Sequence, residues 1–272
     1  MATIKDRESQ AMTLHFTLCT VVCVFLFAGC QQEQQQEDVA LATAPDVASV
    51  SVSSDYAARA IEAAGGLDAW TKTRELRFMC VVTLYQPDGS HYLSEQRYAV
   101  YPWSNSIQVS APEPKGTSVW QLSRGRFEVL QGSDRIDELS AAVPSRCLAE
   151  AILNIVTAPS RLVDASAEFV RQDSAVKIQG QWYYPIAKQT KSEILSGERM
   201  AKALFYQNRD NSLIDMIQCD CTETGRSLAV RAYDYDEIEK GGLLVPTKIE
   251  IFTSDSHARL VKIDCHKASV AK

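Results

Sequence analysis

The sequence is short of histidine and of the settings in which histidine does chemistry. Only four of the 272 residues are histidine, and His91, His257 and His266, the three beyond position 30, stand in no recognisable catalytic setting. Hydrolases built on an activated serine or cysteine need a base within reach of the nucleophile, yet neither a glycine-elbow serine nor a phosphate-binding glycine loop occurs. Two separated Cys-x-x-Cys pairs, the usual mark of structural zinc, are missing as well. No apolar run reaches the roughly 20 residues that a spanning helix needs. Basic blocks are also absent: 28 Lys plus Arg face 34 Asp plus Glu, for a net charge of -6. Such a mildly acidic body argues against nucleic acid as a partner. The expectation is a protein with no metal and no cofactor, and with no enzymatic site.

What is present begins with a leader. Lys5 and Arg7 give a weak positive start, and Phe16 to Ala28 is an uncharged apolar run of 13 residues followed at once by glutamine-rich sequence. That is a signal-peptide core. The residues Leu26-Phe27-Ala28-Gly29-Cys30 resemble the lipobox of bacterial lipoprotein precursors, with Phe27 where leucine is usual. The resemblance implies acylation of Cys30, cleavage before it, and a signal peptide over residues 1–29. A plain secretory leader with an incidental cysteine is the alternative. In the lipoproteins that this leader resembles, an aspartate right after the lipid cysteine often means inner-membrane retention, so Gln31 at that place implies the periplasmic face of the outer membrane. Residues 30–54, polar and rich in alanine and serine, read as a flexible lipidated tether. The folded domain is then 55–272.

Cysteine arithmetic adds a constraint. Cys80, Cys147, Cys219, Cys221 and Cys265 lie in the body, an odd number. An exported compartment permits disulfides, and at least one of the five stays unpaired unless chains pair.

Along the body, Asp55 opens a short helix with Ala58, Ile61 and Ala64 on one side and Gly65-Gly66 as its stop, after which Asp68 can cap a turn carrying Trp70. From Glu75 the period changes to two: Leu76, Phe78, Cys80, Val82 and Leu84 share a face, and Pro87-Asp88-Gly89 turns the chain into a hairpin. Further strands are expected at about 91–101, 104–110, 117–123, 126–131, 175–188, 200–207, 212–221, 227–236, 245–254 and 259–266. One helix interrupts them between Pro144 and Pro159, with Leu148, Ile152, Ile155 and Val156 at helical spacing. The last three strands are strongly one-sided. A sheet with one apolar side cannot stay open to water, so it must close, fold over or be covered by helices. If Val230, Ile249 and Ile251 face inward, the stripe Leu148, Ile152 and Ile155 can lie against them and form a candidate ligand cavity.

With these features in place, the body resembles the LolA/LolB-type superfamily of periplasmic lipoprotein carriers and receptors. The likeness lies in the opening Ala57-Ala58-Arg59-Ala60-Ile61-Glu62-Ala63-Ala64-Gly65-Gly66-Leu67 before a long hairpin, the central helix after about five strands, and the closing Leu244-Val245-Pro246-Thr247-Lys248-Ile249-Glu250-Ile251. It implies a mainly β (α+β) fold: a curved antiparallel half-barrel of about eleven strands with helices plugging its concave face, receiving acyl chains. The implied partners are a lipid or an acylated protein, with the membrane reached through the lipid anchor. The same fold also serves sensor domains, so a protein-interaction module is the second reading. No binding residue is carried over, because no site motif matches.

Three clusters remain. Cys219 and Cys221 point to one face of a strand and cannot easily bond each other, so each looks to a neighbouring strand. With Cys265 they read as one disulfide or as small buried thiols, against a thiolate metal site. The acidic run Asp234, Asp236, Glu237 and Glu239 reads as a solvated face, with calcium as the alternative. Trp182-Tyr183-Tyr184 reads as cross-strand packing or as an aromatic ligand platform. The lipobox reading makes a direct prediction. Cys30→Ser should abolish labelling by a clickable fatty acid and move the protein to the soluble periplasmic fraction, and a variant that still sediments with membranes contradicts it.

Overall fold

Period-two patterning from Glu75 onward becomes thirteen strands among the described residues of the computed structural model. These residues are 54–113, 116–132, 143–163, 167–190, 203–221, 223–238 and 242–271. They belong to the unit Leu41–Lys272. Cys30, the leader, nearly all of the tether and Glu239 lie outside them. Among the described residues, no helix is long and apolar enough to cross a membrane.

Helix α1 (Asp55–Ala63) and the short α2 (Leu67–Lys72) open the domain. Ile61 of α1 and Ala64 just after it are buried as expected, while Ala57 and Ala60 complete that side and Ala58 is only half-buried. Asp68 does not cap α2. Gly66 takes that place, while Asp68 sits in the first turn and pairs with Lys72 at 2.7 Å. Five strands follow as an antiparallel meander: β1 (Glu75–Tyr85), β2 (His91–Tyr101), β3 (Ser106–Glu113), β4 (Gly116–Ser123) and β5 (Arg126–Gln131). The central helix α3 (Ser145–Val156) ends before Pro159, which starts a separate turn, α4 (Ala158–Arg161), where a missing N–H costs nothing.

The second group of strands comprises β6 (Ala167–Arg171), β7 (Val176–Ile178), β8 (Gln181–Thr190), β9 (Leu204–Asn208), β10 (Ile214–Cys221), β11 (Arg226–Ile238), β12 (Leu243–Thr253) and β13 (Arg259–Ala271). The count exceeds eleven for two reasons. The five-residue β6 carries too little pattern to announce itself. The expected strand 175–188 is cut at Gln179-Gly180, both at positive φ (48° and 92°), the backbone signature of a type I′ hairpin turn.

All pairings are antiparallel, in the order β5-β4-β3-β2-β1-β13-β12-β11-β10-β9-β8-β6, with β7 also on β8. Register lines up apolar rows. Leu84, Val261, Ile251, Val230, Ile217, Phe205 and Ile186 sit opposite one another from β1 through β13 to β8. None is more than 4% exposed. In the first meander, Leu76, Val100, Ile107 and Leu122 form the matching row.

The sheet must be strongly curved. Helix α3 touches β3 and β4 as well as β10, β11 and β12. From β4 to β10 is seven steps along the sheet, roughly 34 Å if flat, whereas a helix of this length is about 18 Å long and about 10–12 Å across. Only a sheet curled around α3 brings both sets into contact. The architecture is therefore the half-barrel that the resemblance implies.

Gly65 marks where α1 meets the sheet. At φ 108°, an added Cβ would stand 2.6 Å from the Gly242 carbonyl oxygen, whereas at Gly89 (φ 84°) nothing lies within 4 Å. Gly89→Ala should cost about 1 kcal/mol from backbone strain alone, and Gly65→Ala about 3 kcal/mol or more because the helix must shift as well. Urea unfolding measures both, and equal costs would contradict the close approach.

Candidate functional site

Helix α3 is the centre of the concave face. Ser145, Cys147, Leu148, Ala149, Ala151, Ile152, Leu153, Ile155 and Val156 are all buried, leaving Arg146, Glu150 and Asn154 as a narrow half-exposed polar line at i, i+4, i+8. Arg146 Nε donates to Glu150 Oε1 at 3.1 Å along that line. The single apolar stripe expected from Leu148, Ile152 and Ile155 thus understates the burial. Ala149, Ala151 and Leu153 are covered too, because the curled sheet contacts the helix on two sides.

The six candidate cavity residues come together in one core: Leu148, Ile152 and Ile155 from α3 with Val230, Ile249 and Ile251 from β11 and β12. Their exposures lie between 0% and 3%. Val230 is in register with Ile251, and Ile249 with Ile263. In this state the helix itself covers the concave lining. What the arrangement can do is exchange apolar contacts, since an apolar ligand would have to take the place of side chains already packed there.

The cysteines correct the expected pairing. Cys221, at the end of β10, is bonded to Cys147 in the first turn of α3, across 74 residues of chain. Its partner therefore lies on the helix, not on a neighbouring strand and not among Cys219 and Cys265. The sequence carried no signal for this pairing, because nothing in it fixed the helix over β10. Cys219 carries no disulfide. Burial, then the Glu150 and Asp220 carboxylates, push its thiol up to about 12, so it is a weak nucleophile at neutral pH. Cys80 and Cys265, also without a disulfide, face each other across β1 and β13 with their sulfurs 2.6 Å apart.

The other clusters fall on the outside. Asp234, at φ 49°, holds Lys248 at 2.6 Å, and the Glu237 carboxylate accepts from the Gly242 N–H, which makes this acidic run a solvated strand end. Trp182 is 38% exposed beneath Lys177 and Arg209. Tyr183 packs edge-on against Tyr206 in a small cluster with Met216. Among the described residues, no group of three His, Cys, Asp or Glu side chains is placed to hold a metal. His91, His257 and His266 are all exposed. A groove of about 480 Å³ lies on the outer side of β13, β1, β2 and β3, with Arg77, Met79, Arg97 and Lys267 among its lining.

No family model and no curated protein sequence matches the chain. Solved structures with a similar course of chain include a LolA superfamily protein from Nitrosomonas europaea (13% identity, TM-score 0.48, covering 78% of this chain and 92% of that one). A DUF1329 family protein from Desulfovibrio piger follows at 10% identity and TM-score 0.45, with coverage of 79% and 91%. A putative outer membrane lipoprotein-sorting protein domain from Vibrio parahaemolyticus aligns at 8% identity and TM-score 0.44, with coverage of 79% and 94%.

The Cys147–Cys221 bond yields a stability prediction. Replacing both cysteines by serine should cost about 2–4 kcal/mol, mostly through the freed unfolded chain. Denaturant titration without reductant measures the loss. A change below a few tenths of a kcal/mol would show that the bond is not made.

Proposed function

We propose that this chain binds an apolar group, an acyl chain or a lipidated peptide, without catalysis, while tethered through Cys30 to the periplasmic face of the outer membrane. The observation that carries the reading is the plug: a helix buried on nine of its twelve residues inside a curved sheet whose inner rows are apolar. A ligand enters by exchange. Each methylene it buries contributes about 0.8 kcal/mol, so a long chain can replace the helix contacts without any specific polar partner.

The disulfide sets the manner of opening. Cys147 ties the first turn of α3 to β10, so the helix swings about that end. Ile152, Ile155 and Val156, farther along, give up their contacts first. The second reading, a protein-interaction module, is favoured by a different observation: the filled interior contrasts with the open groove on the outer face around Met79, which is 37% exposed.

The swing can be tested by loosening the far end of the helix. Ile152→Val with Ile155→Val should weaken docking by about 2 kcal/mol. Because the closed state competes with ligand, uptake of a fluorescent fatty acid should tighten by up to about 30-fold. Both proteins are titrated with the same probe and checked by melting curves. Negligible uptake by two folded proteins rejects the lipid reading and leaves the interaction module.

A further inference from the structure

We propose that Cys80 and Cys265 form a second disulfide, a staple across the joint between the two halves of the sheet. Three observations converge on it. First, the residues are register partners on adjacent antiparallel strands, with their sulfurs 2.6 Å apart. Directly opposed residues of an antiparallel pair have Cβ separations that overlap the range a disulfide requires.

Second, the opposition is produced by a β-bulge. Up to Met79, β1 runs in register with Lys267; after the bulge, Cys80 meets Cys265, and His266 is left over. Without that extra residue, Cys80 would face His266, whose side chain is exposed. The bulge turns Cys265 inward and sets it beside a cysteine that is 1% exposed. Bulges re-aim side chains in this way.

Third, the place matters. The pairing of β1 with β13 joins the meander β1–β5 to the strands that follow α3, and the two cysteines are 185 residues apart in sequence. A bond here closes the domain between its first and last strands. It also resolves the cysteine count: Cys147–Cys221 and Cys80–Cys265 account for four, and the fifth, Cys219, is the half-buried thiol left over.

The chemistry needs a disulfide-bearing oxidant. Cys265, the more accessible partner, attacks as thiolate one sulfur of the oxidant, forming a mixed disulfide and expelling one thiol. Cys80 then attacks the Cys265 sulfur and expels the second. Two protons leave the cysteines and the two electrons reduce the oxidant disulfide to two thiols. Cys80 is slow to ionise, since its contact with Cys265 and its burial hold its thiol well above the ordinary value. Closure is therefore slow once the sheet is packed, and proceeds most readily while β13 is docking.

The full chain is treated with oxidised glutathione, unfolded in denaturant with an alkylating reagent and no reductant, and mapped by peptide mass spectrometry. Of the cysteines from Cys80 on, only Cys219 should be alkylated, and the Cys80 and Cys265 peptides should appear linked. Alkylation of both after oxidation overturns the proposal. Because the oxidant is added, the result is independent of export and of any ligand. Melting supplies a second readout: Cys80→Ala, Cys265→Ala and the double variant should each melt about 5–15 °C lower by the same amount, since losing either partner loses the bond. Losses that add in the double variant would mean two independent thiols and overturn it.

Discussion

The rest of the structure hangs on the pairing of β1 with β13. Every other neighbour in the sheet is consecutive or nearly so in sequence, as in β1–β2 or β12–β13, and can form by local hairpin closure. The β1–β13 ladder runs from Glu75 opposite Ala271 to Leu84 opposite Val261, bringing together strands that bracket nearly all of the folded chain. It carries the loop-closure entropy of the fold. What repays that cost is apolar register: Leu84 and Val82 continue into Val261 and Ile263, and from there into Ile251 and Ile249 of β12. Once the joint is made, the inner rows of both halves form one continuous surface, and only then does a single helix find lining on both sides.

Placing α3 in that surface decides what the molecule can do. A curled sheet with an apolar inner face has to be filled, and this chain supplies the filling from its own middle. The helix leaves just Arg146, Glu150 and Asn154 half-exposed, a line too narrow for a surface helix and suited to one lying in a trough. On the proposed reading, a ligand in this trough would compete with the chain's own side chains, and its affinity would be the difference between two sets of similar apolar contacts. Such uptake would be sensitive to small losses in helix packing.

Much of this was legible in the sequence, and the parts that were not share a physical cause. Alternation exposed the faces of β1, β11, β12 and β13, and helical spacing exposed Leu148, Ile152 and Ile155, because burial on one side writes a period into the chain. Long-range partnership leaves no such trace. Nothing in Cys221 says that it meets Cys147, and nothing in Cys265 says that a bulge at His266 turns it toward Cys80. Before the bulge, Val270 and Ala268 are the inward residues of β13; after it, Cys265, Ile263 and Val261 are. Strict alternation carried forward from Val261 keeps Ile263 and Cys265 inward but turns Ala268 and Val270 outward, because Val261 and Val270 are an odd number of residues apart. The parity break is visible only once the partner strand is known.

The positions of the cysteines then bear on how the trough can open. Cys147–Cys221 fixes the start of α3 to β10, on the side of the joint that follows α3 in sequence. The contacts of α3 with β3 and β4 of the first meander carry no covalent tie among the described residues. In the proposed swing about Cys147 the start of the helix would stay on β10, to which the disulfide ties it. Such a motion would leave the pairing of β1 with β13 in place, because that ladder is made strand to strand and not through the helix. In the proposed opening the sheet would stay whole and the helix would be the part that moves.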